Sequence, residues 1–182
     1  MRKTILLLCS LLLLYSSVAA AGAKIGVGVF GGLDQPVGLE DQKQGSVFGI
    51  RGKLKAFPVI TFEPFLSFSK FGDPDYEDFP LGVEGSDVNA YGVDAVLGAP
   101  FGAKGFAMFG IVGAGFYNIK NDQIPDADET NLGWSAGLGF GIGFTPMVSL
   151  DVRGKLNVIP YEGGGSFKSV SATAGVNYHF GM

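Results

Sequence analysis

Alternation at every second position constrains this chain more than any other feature. In residues 131–144, Leu132, Trp134, Ala136, Leu138, Phe140, Ile142 and Phe144 share one face, while Gly133, Ser135, Gly137, Gly139, Gly141 and Gly143 share the other. A period of two belongs to the β-strand, whose successive side chains point to opposite faces. Residues 148–158 repeat the scheme, with Val148, Leu150, Val152, Leu156 and Val158 against Ser149, Asp151, Arg153, Lys155 and Asn157. Residues 47–57, 60–70, 88–98 and 170–180 alternate in the same way. Segments 24–31 and 105–117 are also strand-like, but they are so rich in glycine and apolar residues that their facing stays open. The pattern predicts eight strands and no sustained helix.

Composition supports this and removes several classes. Thirty glycines in 182 residues argue against a helical protein, since each interior glycine costs a helix about 1 kcal/mol. A charged fraction of 16% with 47% hydrophobic residues excludes intrinsic disorder. A formal net charge of −4 gives no broad basic surface for nucleic acid. The lone cysteine, Cys9, rules out a disulfide scaffold.

The first 23 residues read as an address. Arg2 and Lys3 precede an apolar run from Ile5 to Leu14 and a stretch of small residues from Ser16 to Ala23, the layout of a cleaved secretory signal peptide. The run is shorter than the roughly 20 apolar residues that span a bilayer as a helix. The domain plan is therefore a signal peptide at 1–23 and one β-domain at 24–182.

The connections alternate in length. Short turns are expected around Phe57-Pro58-Val59, around Ala99-Pro100-Phe101-Gly102 and around Thr145-Pro146-Met147. The other links, 32–46, 71–87, 118–130 and 159–168, are long and polar. An even-stranded antiparallel meander with short turns at one end and long loops at the other is the plan of a transmembrane barrel.

The glycines set which face is inside. A soluble barrel would have to show Gly133, Gly137, Gly139, Gly141 and Gly143 to water, where glycine weakens a strand. Inside a narrow barrel they leave room for large side chains from neighbouring strands, and the unbroken hydrocarbon face then meets lipid. A closed barrel is the one sheet that pairs every backbone polar group in lipid. The inward set then carries Arg51, Lys53, Lys55, Arg153 and Lys155 against Glu63, Asp94 and Asp151. Isolated buried charges are prohibitively costly, so these eight residues are expected to form an ion-pair plug.

These features together resemble the small eight-stranded outer-membrane barrels of Gram-negative bacteria, the type of the outer-membrane protein A membrane domain and its OmpX-like relatives. The resemblance covers residues 24–180. Its most specific piece is the closing strand Ala172-Thr173-Ala174-Gly175-Val176-Asn177-Tyr178-His179-Phe180, similar to the aromatic-ended strand that the outer-membrane assembly machinery reads in that family. Phe62-Glu63-Pro64-Phe65 and Ser149-Leu150-Asp151-Val152-Arg153 resemble recurrent strand-start patterns of the family. The resemblance implies an outer-membrane location and an assembly signal in Val176, Tyr178 and Phe180. The family usually ends on the aromatic residue, whereas Gly181 and Met182 follow here.

Chemistry-bearing motifs are weak. His179 is the sole histidine, with Ser171 and Thr173 on the same face, but it falls at the short-turn, periplasmic end and reads as a polar residue of the barrel floor. The acidic stretches Asp73-Pro74-Asp75-Tyr76-Glu77-Asp78 and Asp126-Ala127-Asp128-Glu129 lack the glycine turn and distal glutamate of a calcium loop. Gly163-Gly164-Gly165 precedes no helix that would cradle a phosphate. No cofactor or metal is expected.

Two aromatic girdles are expected at the membrane interfaces: Phe57, Phe101, Phe144, Tyr178 and Phe180 toward the short turns, and Phe48, Phe68, Tyr91, Tyr117 and Trp134 toward the long loops. The long loops hold 14 of the 17 acidic residues, so a strongly acidic rim is expected above a basic core. The leading expectation is a non-enzymatic, monomeric outer-membrane barrel. It would contact lipid and lipopolysaccharide with its wall, the assembly machinery with its last strand and an extracellular ligand with its loops, in adhesion or envelope integrity. The rivals are a small porin-like channel with a basic lumen, a lipid-modifying enzyme and a soluble lipocalin-like carrier.

Overall fold

The computed structural model describes residues 24–37, 43–55, 57–72, 87–98, 105–120, 129–160 and 165–180. Eight strands follow in chain order: β1 (Lys24–Pro36), β2 (Lys43–Lys55), β3 (Ile60–Gly72), β4 (Asp87–Leu97), β5 (Gly105–Lys120), β6 (Glu129–Gly143), β7 (Val148–Pro160) and β8 (Ser166–Phe180). Each pairs antiparallel with its chain neighbours, and β1 pairs with β8 to close the barrel. Closure leaves no edge strand, which satisfies the backbone where no water is at hand.

Register fixes the stagger. A row of partners runs from Ile25 through Leu54, Phe62, Ala95, Val112, Ala136, Leu156 and Val170, and it returns to β1 at Gln35, ten residues further along. Such a stagger requires strands tilted to the barrel axis and leaves an interior that side chains can fill.

The wall is apolar outside. Val29, Ile50, Val112, Leu132, Leu138 and Val152 are each more than half exposed. Between the strand ends no charged side chain among the described residues faces outward. Aromatic pairs mark the rims: Phe48 stacks on Phe68 at 5.4 Å between ring centres, Tyr91 meets Phe116 at 5.5 Å, and Tyr178 meets Phe180 at 5.0 Å. A soluble carrier places such residues inside, so this arrangement removes the lipocalin-like reading.

Short turns close one end. Thr145 Oγ1 accepts hydrogen bonds from the backbone N–H groups of Met147 (3.2 Å) and Val148 (3.0 Å), and Phe144 N donates to Val148 O at 3.0 Å. At the end of β4, Gly98 takes φ of 87°, which favours glycine, and its N–H donates to Val59 O at 2.9 Å.

Three sequence expectations change. The strands run further toward the long-loop end than alternation indicates: β1 reaches Pro36, β5 reaches Lys120, and β8 starts at Ser166. The backbone ladder continues there although the side-chain pattern has lapsed. The open facing of β1 and β5 is settled, with Gly26, Gly28 and Asp34 inward on β1, and Phe109, Ile111 and Tyr117 inward on β5. Tyr117 therefore leaves the outer girdle, and Phe116 takes its place beside Tyr91. The proposed signal peptide, Phe101 and most of the acidic loop residues lie outside the described residues.

Candidate functional site: a lumen closed by ion pairs

The centre of the lumen is a strut between opposite walls. Arg153 on β7 meets Glu63 on β3 through Nη1–Oε2 at 2.6 Å and Nη2–Oε1 at 3.3 Å. The same guanidinium holds Asp151, two residues back, through Nε–Oδ1 at 3.1 Å and Nη2–Oδ2 at 2.9 Å. Five N–H donors in a planar fork make arginine suited to serve two carboxylates at once. From β2, Arg51 Nη2 lies 2.9 Å from Asp151 Oδ1, and Lys53 Nζ lies 2.8 Å from Glu63 Oε1 and 3.6 Å from Asp151 Oδ2. Nearer the long loops, Lys155 Nζ donates to both oxygens of Asp94, at 2.8 and 3.0 Å, and Ser135 Oγ donates to Asp94 Oδ1 at 3.4 Å. β7 is thereby tied across the lumen to β2, β3 and β4.

Each tie has an aromatic shelf. The Arg51 guanidinium lies 4.8 Å from the Phe30 ring centre, Arg153 lies 5.2 Å from Phe109, and Lys155 Nζ lies 4.7 Å from Phe65. Cations over aromatic faces gain about 0.5–2 kcal/mol each, most where water is excluded. Glycines make room for this layer. Arg51 Nη2 fills the space where a Gly175 side chain would begin, and the Phe109 ring does the same at Gly139.

Layers stack on either side. Toward the short turns lies a floor in which His179 Nε2 is 3.0 Å from Ser149 Oγ and Asn177 Nδ2 donates to Asp151 Oδ2 at 2.9 Å. Toward the long loops a cavity of about 50 Å³ is lined by Asp34, Ser69, Asn157, Ser169 and Thr173, with room for about three water molecules. Ser69 Oγ donates to Asp34 Oδ2 at 3.0 Å. The same cavity has an apolar side, a cap of Phe65, Phe71, Val88, Ala90, Tyr117, Ile159 and Phe167, in which Phe71 and Phe167 meet edge to face at 5.7 Å.

Of the eight interior charges read from the sequence, Arg51, Lys53, Glu63, Asp94, Asp151, Arg153 and Lys155 come together in this layer. Lys55 does not join them: it is half-buried at the end of β2, opposite Lys24, and makes no ion pair among the described residues. Asp34, which the sequence reading places in a loop, is buried inside the barrel. Three buried cations and the part-buried Lys155 then face four buried carboxylates, so the core is balanced rather than basic. Asp34 shares the inward parity of Gly26 and Gly28, a signal that a longer β1 would have exposed. The cap and the shelves escape the sequence reading because Phe30, Phe65 and Phe109 read as lipid-facing types.

His179 is 1% exposed and stands in the floor, away from the end where long loops leave the barrel. Val176, Tyr178 and Phe180 lie on the outer face of β8, each nearly half exposed. Among the described residues no group of three or more His, Cys, Asp or Glu side chains is arranged to hold a metal ion.

A closed eight-stranded wall, apolar outside and charge-paired inside, defines an integral outer-membrane barrel protein. The chain belongs to the family of the outer membrane protein beta-barrel domain, whose model matches residues 6–180, and its place is the cell outer membrane. Solved structures share the fold. Neisserial surface protein A is 15% identical with a TM-score of 0.68, covering 87% of this chain and 99% of that one. The N-terminal β-barrel domain of Pseudomonas aeruginosa OprF is 15% identical with a TM-score of 0.59, covering 86% and 97%. A major outer membrane protein from Thermus thermophilus is 13% identical with a TM-score of 0.52, covering 87% and 99%. No curated protein matches the sequence.

Proposed function

We propose that this protein is a non-enzymatic, monomeric barrel whose closed wall presents its loops at the cell surface, for adhesion or for envelope integrity. The observation that carries this reading is the lumen. The Arg153–Glu63 strut and its neighbours tie opposite walls together across the lumen, and Phe71 and Phe167 meet edge to face on its long-loop side. A lumen packed in this way leaves the loops and the outer wall as the surfaces on which a partner can act. In this reading lipid and lipopolysaccharide surround the wall, the assembly machinery recognises Val176, Tyr178 and Phe180, and an extracellular ligand meets the loops.

The porin-like reading needs a continuous water path, and the ion pairs that cross the lumen from β7 to β2 and β3 argue against one. A lipid-modifying enzyme needs its general base near the outer leaflet, whereas His179 lies in the floor. The test replaces residues 73–86 and 121–128 with short Gly-Ser linkers and measures binding of intact cells to immobilised matrix proteins, together with sensitivity to detergents. Loss of either property with the barrel still inserted supports the reading. Unchanged binding and unchanged resistance would overturn it.

A further inference from the structure

Asp34 stands apart from the other buried carboxylates. Glu63, Asp94 and Asp151 each hold a cationic nitrogen, at 2.6, 2.8 and 2.9 Å respectively. Asp34 is 4% exposed and forms no ion pair with a lysine or arginine among the described residues. Ser69 Oγ donates to its Oδ2 at 3.0 Å and Ser169 lies beside it, whereas Oδ1 has no hydrogen-bond partner among the described residues. A carboxylate withdrawn from water is costly unless a counter-charge and donors meet it.

The cavity that Asp34 lines carries the rest of a site. One side is hydroxyl, from Ser69, Ser169 and Thr173, and the other is aromatic, from Phe65, Phe71 and Tyr117. Lys155 lines it too, but both oxygens of Asp94 already hold its ammonium, at 2.8 and 3.0 Å. The volume of about 50 Å³ takes an ammonium group and about two methylenes. A calcium ion needs roughly six or more oxygen ligands, and a single free carboxylate oxygen beside a lysine does not supply them. An alkylammonium uses both sides, giving N–H donors to Asp34 and the hydroxyls and laying its methylenes and charge against the rings.

The loop sequences give the direction of approach. Segments 38–42, 73–86, 121–128 and 161–164 join the strands at this end, and they contain 11 acidic residues and no lysine or arginine. None of them can supply the positive charge that Asp34 lacks, and carboxylates in that number concentrate cations from solution.

We propose that this chamber binds the primary ammonium end of a linear alkyl diamine. Asp34 is its counter-charge, Ser69 and Ser169 hydrogen-bond to it, and Phe71 and Tyr117 pack on the methylenes. The second ammonium lies on the long-loop side, where the acidic segments begin, which favours a diamine over a monoamine. The inference goes beyond the proposed surface role and holds whichever partner the loops meet.

The test places the barrel, purified from outer membranes, in phosphatidylcholine nanodiscs so that no anionic lipid competes, and titrates it with putrescine by isothermal titration calorimetry. Putrescine should bind one to one, and n-butylamine more weakly. Tetramethylammonium carries the charge without N–H donors and is too broad for the chamber, so it should bind no better than sodium. Asp34→Asn keeps the shape, removes the charge and should weaken putrescine by on the order of thirtyfold. Ser169→Leu keeps Asp34 but fills the chamber, and it should abolish binding. Ser69→Ala, the smallest change, should weaken binding by about threefold and serves if a larger substitution fails to give the heat-shifted gel mobility of a folded barrel. Absence of binding, equal binding of tetramethylammonium, or full affinity in Asp34→Asn would overturn the site. So would a loss confined to Asp126→Asn with Asp128→Asn, which would put the amine among the loops instead.

Discussion

Arg153 and Glu63 join opposite walls of the barrel through two hydrogen bonds, the shorter of 2.6 Å, with both side chains almost wholly buried. Removing one partner of a buried pair leaves a charge that water cannot reach, which costs about 3–5 kcal/mol. Glu63→Gln should therefore lower stability by about 3 kcal/mol, read as a shift in the urea midpoint for unfolding from lipid vesicles. A shift below a few tenths of a kcal/mol would mean that Asp151 alone can hold both Arg153 and Lys53.

The same strut governs permeability. The wild-type barrel should give no stable, reproducible openings in planar bilayers. The double substitution Arg153→Ala and Glu63→Ala removes the central tie as a neutral pair, and it should produce small openings from the enlarged lumen. Regular openings in the wild type would return the porin-like reading.

Glycine positions are open to a packing test. At Gly139 a Cβ would enter the Phe109 ring on the adjacent strand, and this ring underlies Arg153. Gly139→Ala should destabilise the barrel by about 1–3 kcal/mol, as overpacked cores do. Gly154 faces lipid with nothing within 4 Å of a would-be Cβ, so Gly154→Ala should be neutral or slightly stabilising in the same urea assay. Equal effects at the two sites would contradict the inward packing.

Phe180 ends β8 on the outer face, beside Tyr178. If that strand is the assembly signal, Phe180→Ala should slow machine-assisted insertion several-fold while leaving spontaneous refolding into thin bilayers nearly unchanged. Pulse-labelled folding assays with and without the machinery separate the two, and an equal slowing in both would assign Phe180 a packing role alone.

Much of this architecture is legible in the sequence because lipid imposes one rule on every outward position. Alternation in 131–144 and 170–180 needs no tertiary context, since hydrocarbon outside and glycine or serine inside follow from the solvent alone. The lumen obeys no such rule. Phe65 and Phe109 are apolar yet face inward, because they support Lys155 and Arg153. Asp34 reads as a loop residue because Gly31 and Gly32 interrupt the pattern before it, although the β1 ladder to β8 continues through them. Which carboxylate meets which cation depends on distances across the barrel, and a linear pattern carries no information about those.

The glycines that abut Arg51, Phe109 and Tyr117 have a consequence for how the chain can change. Gly133 lies beside Tyr117, whose Cε2 would stand 2.8 Å from a methyl group added there. Each such position is a vacancy already occupied by a side chain from another strand. Size inside this wall is thus a property of pairs, and the large and small members of a pair can trade places across a seam more readily than either can change alone.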